Sequence, residues 1–298
     1  MKSLSAVLAV VASLSALPST SHAQAPGPVL QQVVLNGPER RLRFDGVPGR
    51  AVLRYILIDP GNADPVRDGF LPIERTAVLV MYIGGDGTLG FTPNQVNTGS
   101  PNTVARNRYH FAAEGFVVAV VDTANDFNAS PAGLNGSRLP GGVHGQEHLA
   151  DLRSVMADLR GRYPGLPIWA IGHSRGTLSA AVTALFVAPP ADGLVLMSSL
   201  TGDPATPTED LSSLDLESVR APVLIVSHQG DTCAFTNPED SKALSKRFVS
   251  SDRAKFRDFN GGSAPLTDPC DPLAPHGYFG IDQKVVDAVT KWIKRRED

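Results

Sequence analysis

The chain has 298 residues, of which 42% are hydrophobic, and its formal net charge at pH 7 is −3. This near-neutral balance, without a basic stretch or an acidic block, argues against nucleic acid as a partner and against binding to a membrane surface through basic residues. Beyond the N-terminal region no stretch approaches the roughly 18 consecutive apolar residues of a membrane span, so we expect no stable membrane anchor.

The N-terminus has the pattern of a secretory signal peptide. Met1-Lys2 is a short basic region, residues 4–17 are apolar apart from serines, and small residues stand at Ser21 and Ala23, before a cleavage site. The apolar region is too short to anchor the protein in a membrane. We therefore predict a signal peptide over residues 1–23, a single domain over residues 24–298, and a secreted or periplasmic location.

Short apolar segments follow the leader. Residues 33–35, 42–44 and 51–58 are separated by turn-forming residues at 36–38 and 45–46. This pattern predicts antiparallel strands that open a sheet.

From residue 77 onward the pattern changes. Continuous apolar runs alternate with helix-like segments, which is typical of a parallel sheet covered by helices on both faces. The runs lie at residues 77–83, 116–121, 168–171, 194–197 and 223–226. Two helices are predicted from apolar stripes, one over about residues 146–162 and one at the C-terminus, which Asp282 could cap.

The run at 168–171 leads into the candidate nucleophile. It is followed by Gly172-His173-Ser174-Arg175-Gly176 and then by an alanine-rich helical segment. Strand, G-x-S-x-G and helix form the context in which a serine is presented on a sharp turn above the sheet, with glycines where a side chain would not fit. The pentapeptide alone is a weak signal in a glycine-rich chain, and the alternative for Ser174 is a helix N-cap.

A glycine-rich loop, Gly84-Gly85-Asp86-Gly87, follows the run at 77–83. Such a loop can direct backbone N–H groups at a developing oxyanion, because glycine lets the backbone approach closely. The alternative is an ordinary turn between a strand and a helix. A phosphate-binding loop is less favoured, since the G-x-G-x-x-G spacing and the Lys-Ser/Thr of a nucleotide loop are missing.

An acid and a base follow in the chain. Only two histidines, His228 and His276, lie beyond Ser174, and His276 stands in the loop before the last helix. Asp231 follows the strand predicted at 223–226, where an acid is expected. A histidine can take the proton of the serine hydroxyl, and a carboxylate can hold the imidazole in the right tautomer. The alternatives are that His276 is a surface histidine and that Asp231 is an acidic turn residue.

The order Ser174, Asp231, His276 is that of the α/β-hydrolases and differs from those of chymotrypsin and subtilisin. The chain resembles this superfamily over nearly all of the predicted mature sequence. The resemblance implies an α/β-hydrolase fold, with a mostly parallel central sheet, antiparallel N-terminal strands and helices on both faces. It also implies a secreted serine esterase that cleaves carboxylic esters through an acyl-enzyme intermediate, without a cofactor, on a small-molecule acyl substrate. The oligomeric state is left open.

The oxyanion would be bound by the backbone N–H of Arg175 and by an N–H near Gly85 or Asp86. One feature departs from the family: many members carry a cap after the sixth strand, whereas only residues 201–221 stand there in this chain. We therefore expect an open site, or one covered only by that segment and by the loop at 125–142.

Other functions remain open at this point. An acyltransferase, a peptidase and a cofactor-free haloperoxidase can use the same three residues, and a catalytically silent binding protein can share the fold. His144-Gly145-Gln146-Glu147-His148 matches the H-x-x-E-H motif of some zinc peptidases. Glycines in and before the motif, and the lack of an obvious third ligand, favour instead the polar first turn of a helix, so we expect no metal.

The chain has two cysteines, Cys233 and Cys270, and neither lies in a C-x-x-C or zinc-like spacing. In a secreted chain such a pair favours a disulfide over free thiols. Cys233 comes shortly after Asp231 and Cys270 shortly before His276. A Cys233–Cys270 bridge would therefore connect the acid loop to the histidine loop. Two unpaired, buried cysteines are the alternative.

Overall fold

Eight β-strands form one mixed sheet at the centre of the structure, which is a computed structural model. It describes residues 30–42, 45–63, 71–91, 99–129, 132–202 and 209–295. The signal peptide predicted at residues 1–23 lies outside the described residues, as do residues 43 and 44 of one predicted strand. The strands are β1 (Leu30–Arg41), β2 (Pro48–Ile58), β3 (Ala77–Tyr82), β4 (Phe116–Val121), β5 (Ile168–His173), β6 (Gly193–Met197), β7 (Val223–His228) and β8 (Ala254–Phe259).

Helices follow most of the strands from β3 onward. They are α1 (Thr103–Arg106), α2 (Arg108–Ala113), α3 (Asn125–Asn128), α4 (Gly145–Arg162), α5 (Gly176–Phe186), α6 (Pro238–Ser245) and α7 (Asp282–Ile293). None of the helices among the described residues is long and apolar enough to cross a bilayer.

The strand order is β1-β2-β4-β3-β5-β6-β7-β8, and the two N-terminal strands are antiparallel to the rest. From β3 to β8 the pairs are parallel. Every residue of β3 and of β5 is buried, because helices cover both faces of the sheet. One hydrophobic cluster contains side chains of α4 and α5, and the other contains side chains of α1, α2 and α7. The predicted fold class is confirmed.

The turn predicted at residues 36–38 is wrong. β1 continues through this point, with a shift of register between Asn36 and Glu39. The irregularity is that of a β-bulge, and it accommodates Pro38, whose missing N–H is tolerated because β1 is an edge strand. The chain instead turns between β1 and β2, where the N–H of Leu42 donates to the carbonyl of Val47 over 2.9 Å.

Asp282 does not cap the C-terminal helix as predicted. The capping position belongs to Ile281, whose side chain makes no capping hydrogen bond. The carboxylate of Asp282 accepts hydrogen bonds from Arg106 Nε at 2.8 Å and Asn107 Nδ2 at 2.7 Å. A charged donor is the stronger partner for a carboxylate, and it draws the side chain away from the helix N-terminus. This contact joins α7 to α1.

Candidate active site

Ser174 stands on a tight turn between β5 and α5. Its φ of 56° is in the left-handed region, which is strained for a residue with a side chain. The two glycines of the motif are required by close packing: a Cβ on Gly172 would lie 2.3 Å from Gly176 O, and a Cβ on Gly176 would lie 2.2 Å from Tyr82 O. The backbone N–H of Ser174 donates to Met197 O over 2.9 Å. Strand pairing and crossing backbones thus fix the serine at the carboxyl edge of the sheet.

His276 and Asp231 form a buried pair. His276 Nδ1 lies 3.0 Å from Asp231 Oδ2, and both side chains are 1% exposed. Asp231 follows β7, and His276 is in a single turn of 3₁₀ helix, Pro275–Gly277, before α7. An ionised carboxylate can only accept, so the imidazole carries its proton on Nδ1. That tautomer leaves Nε2 free to accept a proton.

Thr236 is a third member of this arrangement, and no sequence motif predicted it. Its hydroxyl donates to Asp231 Oδ2 over 2.9 Å and lies 3.1 Å from His276 Nδ1. The other oxygen of Asp231 accepts from Cys233 N at 3.0 Å. Thr236 is fully buried. The carboxylate is therefore held by three donors, which fixes its orientation towards the imidazole.

The backbone of His276 is also anchored. Its carbonyl oxygen accepts from His173 Nε2 at 3.0 Å and from Ser198 Oγ at 2.8 Å. The rings of His173 and His276 lie 4.8 Å apart between centroids. Burial, together with the neighbouring His276, lowers the pKa of His173 well below its usual value, so His173 is neutral. The residue before the nucleophile thus ties β5 to the histidine loop.

Ser174 and His276 line one pocket of about 190 Å³. The glycine-rich loop after β3 forms one wall of it. A Cβ on Gly84 would lie 2.8 Å from Ser174 Cβ and 3.3 Å from Ser174 Oγ, so this loop passes directly beside the hydroxyl. The remaining lining residues are Ile83, Gly85, Thr88, Ser100, Pro101, Asn102, His173, Cys270, Asp271 and Pro272. The residues predicted from the sequence as nucleophile, base and oxyanion loop therefore meet at one pocket.

Of the predicted oxyanion residues, Gly85 lines this pocket, whereas Asp86 and Arg175 are the next residues in the chain after the lining residues Gly85 and Ser174. Gly85 has a φ of 59°, and the side chain of Asp86 accepts from Thr88 N at 2.9 Å. Arg175 directly follows Ser174, and its guanidinium pairs with Glu209 at 3.1 Å. The side chains of Asp86 and Arg175 are thus turned to local partners, and their backbone N–H groups are the candidate donors.

His228, the other histidine after Ser174, has a different environment. Its Nε2 lies 2.9 Å from Gly261 O and its Nδ1 accepts from Gly230 N at 2.9 Å. Both ring nitrogens are occupied by backbone groups, so this side chain supports the end of β7.

The cysteines form the predicted disulfide, Cys233–Cys270. Cys233 is buried and its N–H holds Asp231, whereas Cys270 is exposed and lines the pocket. The bridge therefore joins the acid loop to the segment that leads to His276.

The H-x-x-E-H motif forms the start of α4, as the sequence favoured. His144 Nδ1 lies 3.1 Å from Glu147 Oε2, while His148 is buried and its Nε2 lies 3.0 Å from Ser179 Oγ. Burial lowers the pKa of His148 to about 3. No group of three histidine, cysteine or acidic side chains that could hold a metal ion occurs in the described ranges.

The two segments expected as covers pack into the protein where they are described. Leu211 and Leu216, from the segment between β6 and β7, are fully buried in the core. Glu209 is 2% exposed and accepts from the backbone N–H groups of Gly136 and Arg138, both at 2.9 Å. The segment between β6 and β7 and the loop before α4 therefore hold each other.

Comparison with protein-family models and with curated proteins finds no match. Solved structures do match. A cold-adapted esterase from an Arctic intertidal metagenomic library is 14% identical, covers 93% of this chain and 99% of its own, and has a TM-score of 0.52. A Xanthomonas campestris protein, described as an α/β serine hydrolase without a lid, is 15% identical over 90% of this chain and 94% of its own, at a TM-score of 0.52.

Dienelactone hydrolase from Anabaena variabilis is 14% identical over 89% of this chain and 98% of its own, with a TM-score of 0.55. Likeness at such low identity is a likeness of fold. The chain has the α/β-hydrolase fold, as the resemblance implied.

Proposed function

We propose that the protein is a carboxylic ester hydrolase whose nucleophile is Ser174. The observation that carries the proposal is the meeting of Ser174, the buried His276–Asp231 pair and the glycine-rich loop at one pocket. A nucleophile, a base with an orienting acid, and backbone donors beside them are the parts that acyl transfer requires. The fold is compatible with this chemistry, and two structural neighbours are described as an esterase and as a serine hydrolase.

The reaction runs through two tetrahedral intermediates. Ser174 Oγ attacks the ester carbonyl carbon while His276 Nε2 takes the hydroxyl proton, and Asp231 stabilises the imidazolium. Collapse of the intermediate breaks the bond to the alcohol oxygen, and His276 returns the proton to that oxygen. Water then attacks the acyl-enzyme with His276 again as base, which releases the carboxylic acid and restores the serine. Backbone N–H groups of Arg175 and of Gly85 or Asp86 bind the oxyanion at both stages.

The pocket supports a small substrate. Its volume of about 190 Å³ is below the ~300 Å³ at which pockets for drug-sized ligands begin. Asp271 is the only acidic side chain among the described lining residues, beside the imidazoles of His173 and His276, and none of them is a lysine or arginine, so we propose esters of short acyl chains without a second carboxylate.

We also propose that the enzyme acts outside the cytoplasm. The predicted signal peptide and the Cys233–Cys270 disulfide both support an oxidising compartment.

The test is an activity profile of residues 24–298 on p-nitrophenyl esters of increasing acyl length, beside an aminoacyl p-nitroanilide. We expect turnover of the acetate and butyrate esters, a decline with longer chains, and no amide cleavage. Ser174→Ala should abolish turnover and labelling by a fluorophosphonate without changing the circular dichroism spectrum, because it removes one half-buried atom. Ester turnover that survives Ser174→Ala would refute the proposal, and a wild-type protein that neither turns over esters nor takes the label would indicate the silent binding protein.

A further inference from the structure

The four successive carbonyl groups from Ile83 to Asp86, in and just before the glycine-rich loop, all accept hydrogen bonds. The oxygens of Ile83 and Gly85 accept from the guanidinium of Arg138, at 3.3 and 3.1 Å. Gly84 O accepts from Gly87 N at 3.2 Å, and Asp86 O accepts from Leu134 N at 2.8 Å. Three of the four bonds come from the loop before α4. That loop thus determines how the peptide planes beside Ser174 are turned.

Two backbone N–H groups of this loop differ from its carbonyl groups. Those of Gly85 and Asp86 donate to no acceptor in the described part of the chain. A trans peptide is planar, so its N–H points away from its C=O. Because the Gly85 carbonyl is directed at Arg138, the N–H of Asp86 is directed away from it. Gly85 lines the pocket together with Ser174, so an oxyanion formed at Ser174 is a candidate acceptor for these N–H groups.

Arg138 is unusual for its burial. It is 1% exposed, and besides the two loop carbonyls it donates to Ser179 Oγ at 2.7 Å. Burial lowers its pKa to about 10, a value at which the guanidinium remains charged at neutral pH. The carboxylate of Glu209 binds the backbone N–H of Arg138 and the guanidinium of Arg175, and it offsets part of the buried charge. A buried cation thus lies directly behind the loop that faces the nucleophile.

We propose that Arg138 is a positioning residue of the oxyanion site: its guanidinium fixes the Gly85–Asp86 peptide and polarises it, so that the Asp86 N–H is a stronger donor. This inference rests on the proposed function. A cation bound to a carbonyl oxygen withdraws electron density from the amide, and hydrogen bonds in such a chain strengthen one another in a medium of low dielectric. The gain is largest when the acceptor is negatively charged, which is the case only in the tetrahedral intermediates and their transition states.

The variants are Arg138→Met, which keeps much of the volume and removes the charge, and Arg138→Lys, which keeps the charge and loses the fork geometry. Arg108→Met is the matched control. Arg108 is also a buried arginine, 6% exposed, that donates to a backbone carbonyl, Ala105 O at 2.5 Å. It belongs to α2, whose Phe111 is in the hydrophobic cluster that contains side chains of α1 and α7.

Two measurements separate positioning from mere stability. The first is kcat/KM on a short p-nitrophenyl ester per active site, counted by the end point of fluorophosphonate labelling. The second compares inhibition by a trifluoromethyl ketone, which forms an oxyanion adduct with serine, with inhibition by the corresponding methyl ketone. We expect Arg138→Met to lower kcat/KM about 10- to 100-fold, less than or similar to the loss of a whole donor. The Ki of the trifluoromethyl ketone should rise by the same factor while that of the methyl ketone stays unchanged.

Arg138→Lys should have a kcat/KM and a trifluoromethyl ketone Ki between those of Arg138→Met and the wild type. Arg108→Met should keep the wild-type kcat/KM and Ki even if its Tm falls. If Arg138→Met does not fold, Ser179→Ala replaces it, because it removes one anchor of the guanidinium and leaves the loop intact; a loss of about three- to tenfold in both measurements is then expected. If the wild type is active but the Arg138 variants keep its kcat/KM per site, the proposed role of Arg138 is wrong and the proposed function stands. The same holds if the variants lose affinity for both ketones alike. A wild type without Ser174-dependent turnover would refute the proposed function instead.

Discussion

Reduction of the Cys233–Cys270 disulfide should lower both the stability and the turnover of the protein. The bridge closes a loop of 37 residues. The chain-entropy relation for such a loop gives about 4 kcal/mol of stabilisation at 25 °C. At roughly 2 to 4 °C per kcal/mol for a domain of this size, Tm should fall by about 8 to 16 °C. Cys270 is exposed, so a soluble phosphine can reach the bond without prior unfolding.

The effect on turnover follows from the contacts of Cys233. Its N–H holds Asp231 Oδ1, and the bridge joins it to the segment that precedes His276. Reduction removes the covalent link between the two loops, so the carboxylate and the imidazole are aligned by their hydrogen bonds alone. We expect a lower kcat in the reduced protein even at temperatures well below its Tm, where it is still folded.

The assay is a thermal melt and an ester turnover measurement with and without the phosphine, with thiols counted by alkylation and mass spectrometry. Cys270→Ser is the matched variant: it should reproduce the reduced state under oxidising conditions and be insensitive to the phosphine. Two alkylatable thiols in the denatured, unreduced protein would disprove the bond. A fully reduced protein with unchanged Tm and kcat would refute the reasoning about the loops.

Three further substitutions test the site and its support. His276→Ala should be as inactive as Ser174→Ala in ester kinetics. The double variant should be scarcely worse, because the effects of substituting residues that act as one unit are not additive. His228→Ala is the comparison and should have a far milder effect. Thr236→Val should lower kcat about tenfold, equivalent to ~1.4 kcal/mol, since it removes a donor to a buried carboxylate, and Thr236→Ser should restore most of it. Arg40→Met should destabilise the fold by about 3–5 kcal/mol in urea unfolding, because Arg40 is the shared partner of two buried carboxylates at 2.6 and 2.7 Å; an unchanged midpoint would contradict this.

The sheet could be predicted because burial on both faces leaves a simple signature. Strands such as β3 and β4 are apolar at nearly every position, which is typical of strands buried on both faces of a parallel sheet. β8 was not predicted for the opposite reason. It is an edge strand with Lys255, Arg257 and Asp258, and its mixed exposure gives no continuous apolar run. The misplaced turn at 36–38 has a similar origin, since the residues that form turns also form bulges on edge strands.

Some residues of the candidate site could likewise be predicted from the sequence, and others could not. Ser174, Asp231 and His276 could be proposed because their chemistry and chain order are constrained by the reaction itself. Thr236 contacts Asp231 and His276, and Arg138 contacts the glycine-rich loop, from distant segments: 40 residues separate Thr236 from His276, and 53 separate Arg138 from Gly85. Neither belongs to a motif, and a threonine or an arginine at such a distance has no local signal. Only the folded arrangement identifies them.

The segments that the sequence predicted as covers of the site bind each other where they are described. Glu209, from the segment between β6 and β7, binds the loop before α4 and also Arg175 beside the nucleophile. An enzyme that closes a lid can expel water and complete its site when substrate binds. Transition-state stabilisation depends on donors that are already oriented when substrate arrives, and the buried contacts of Arg138 hold the loop beside Ser174 in one orientation. For the proposed esterase we therefore expect substitutions of Arg138 and Glu209 to lower kcat, although neither side chain is among the described lining residues of the pocket.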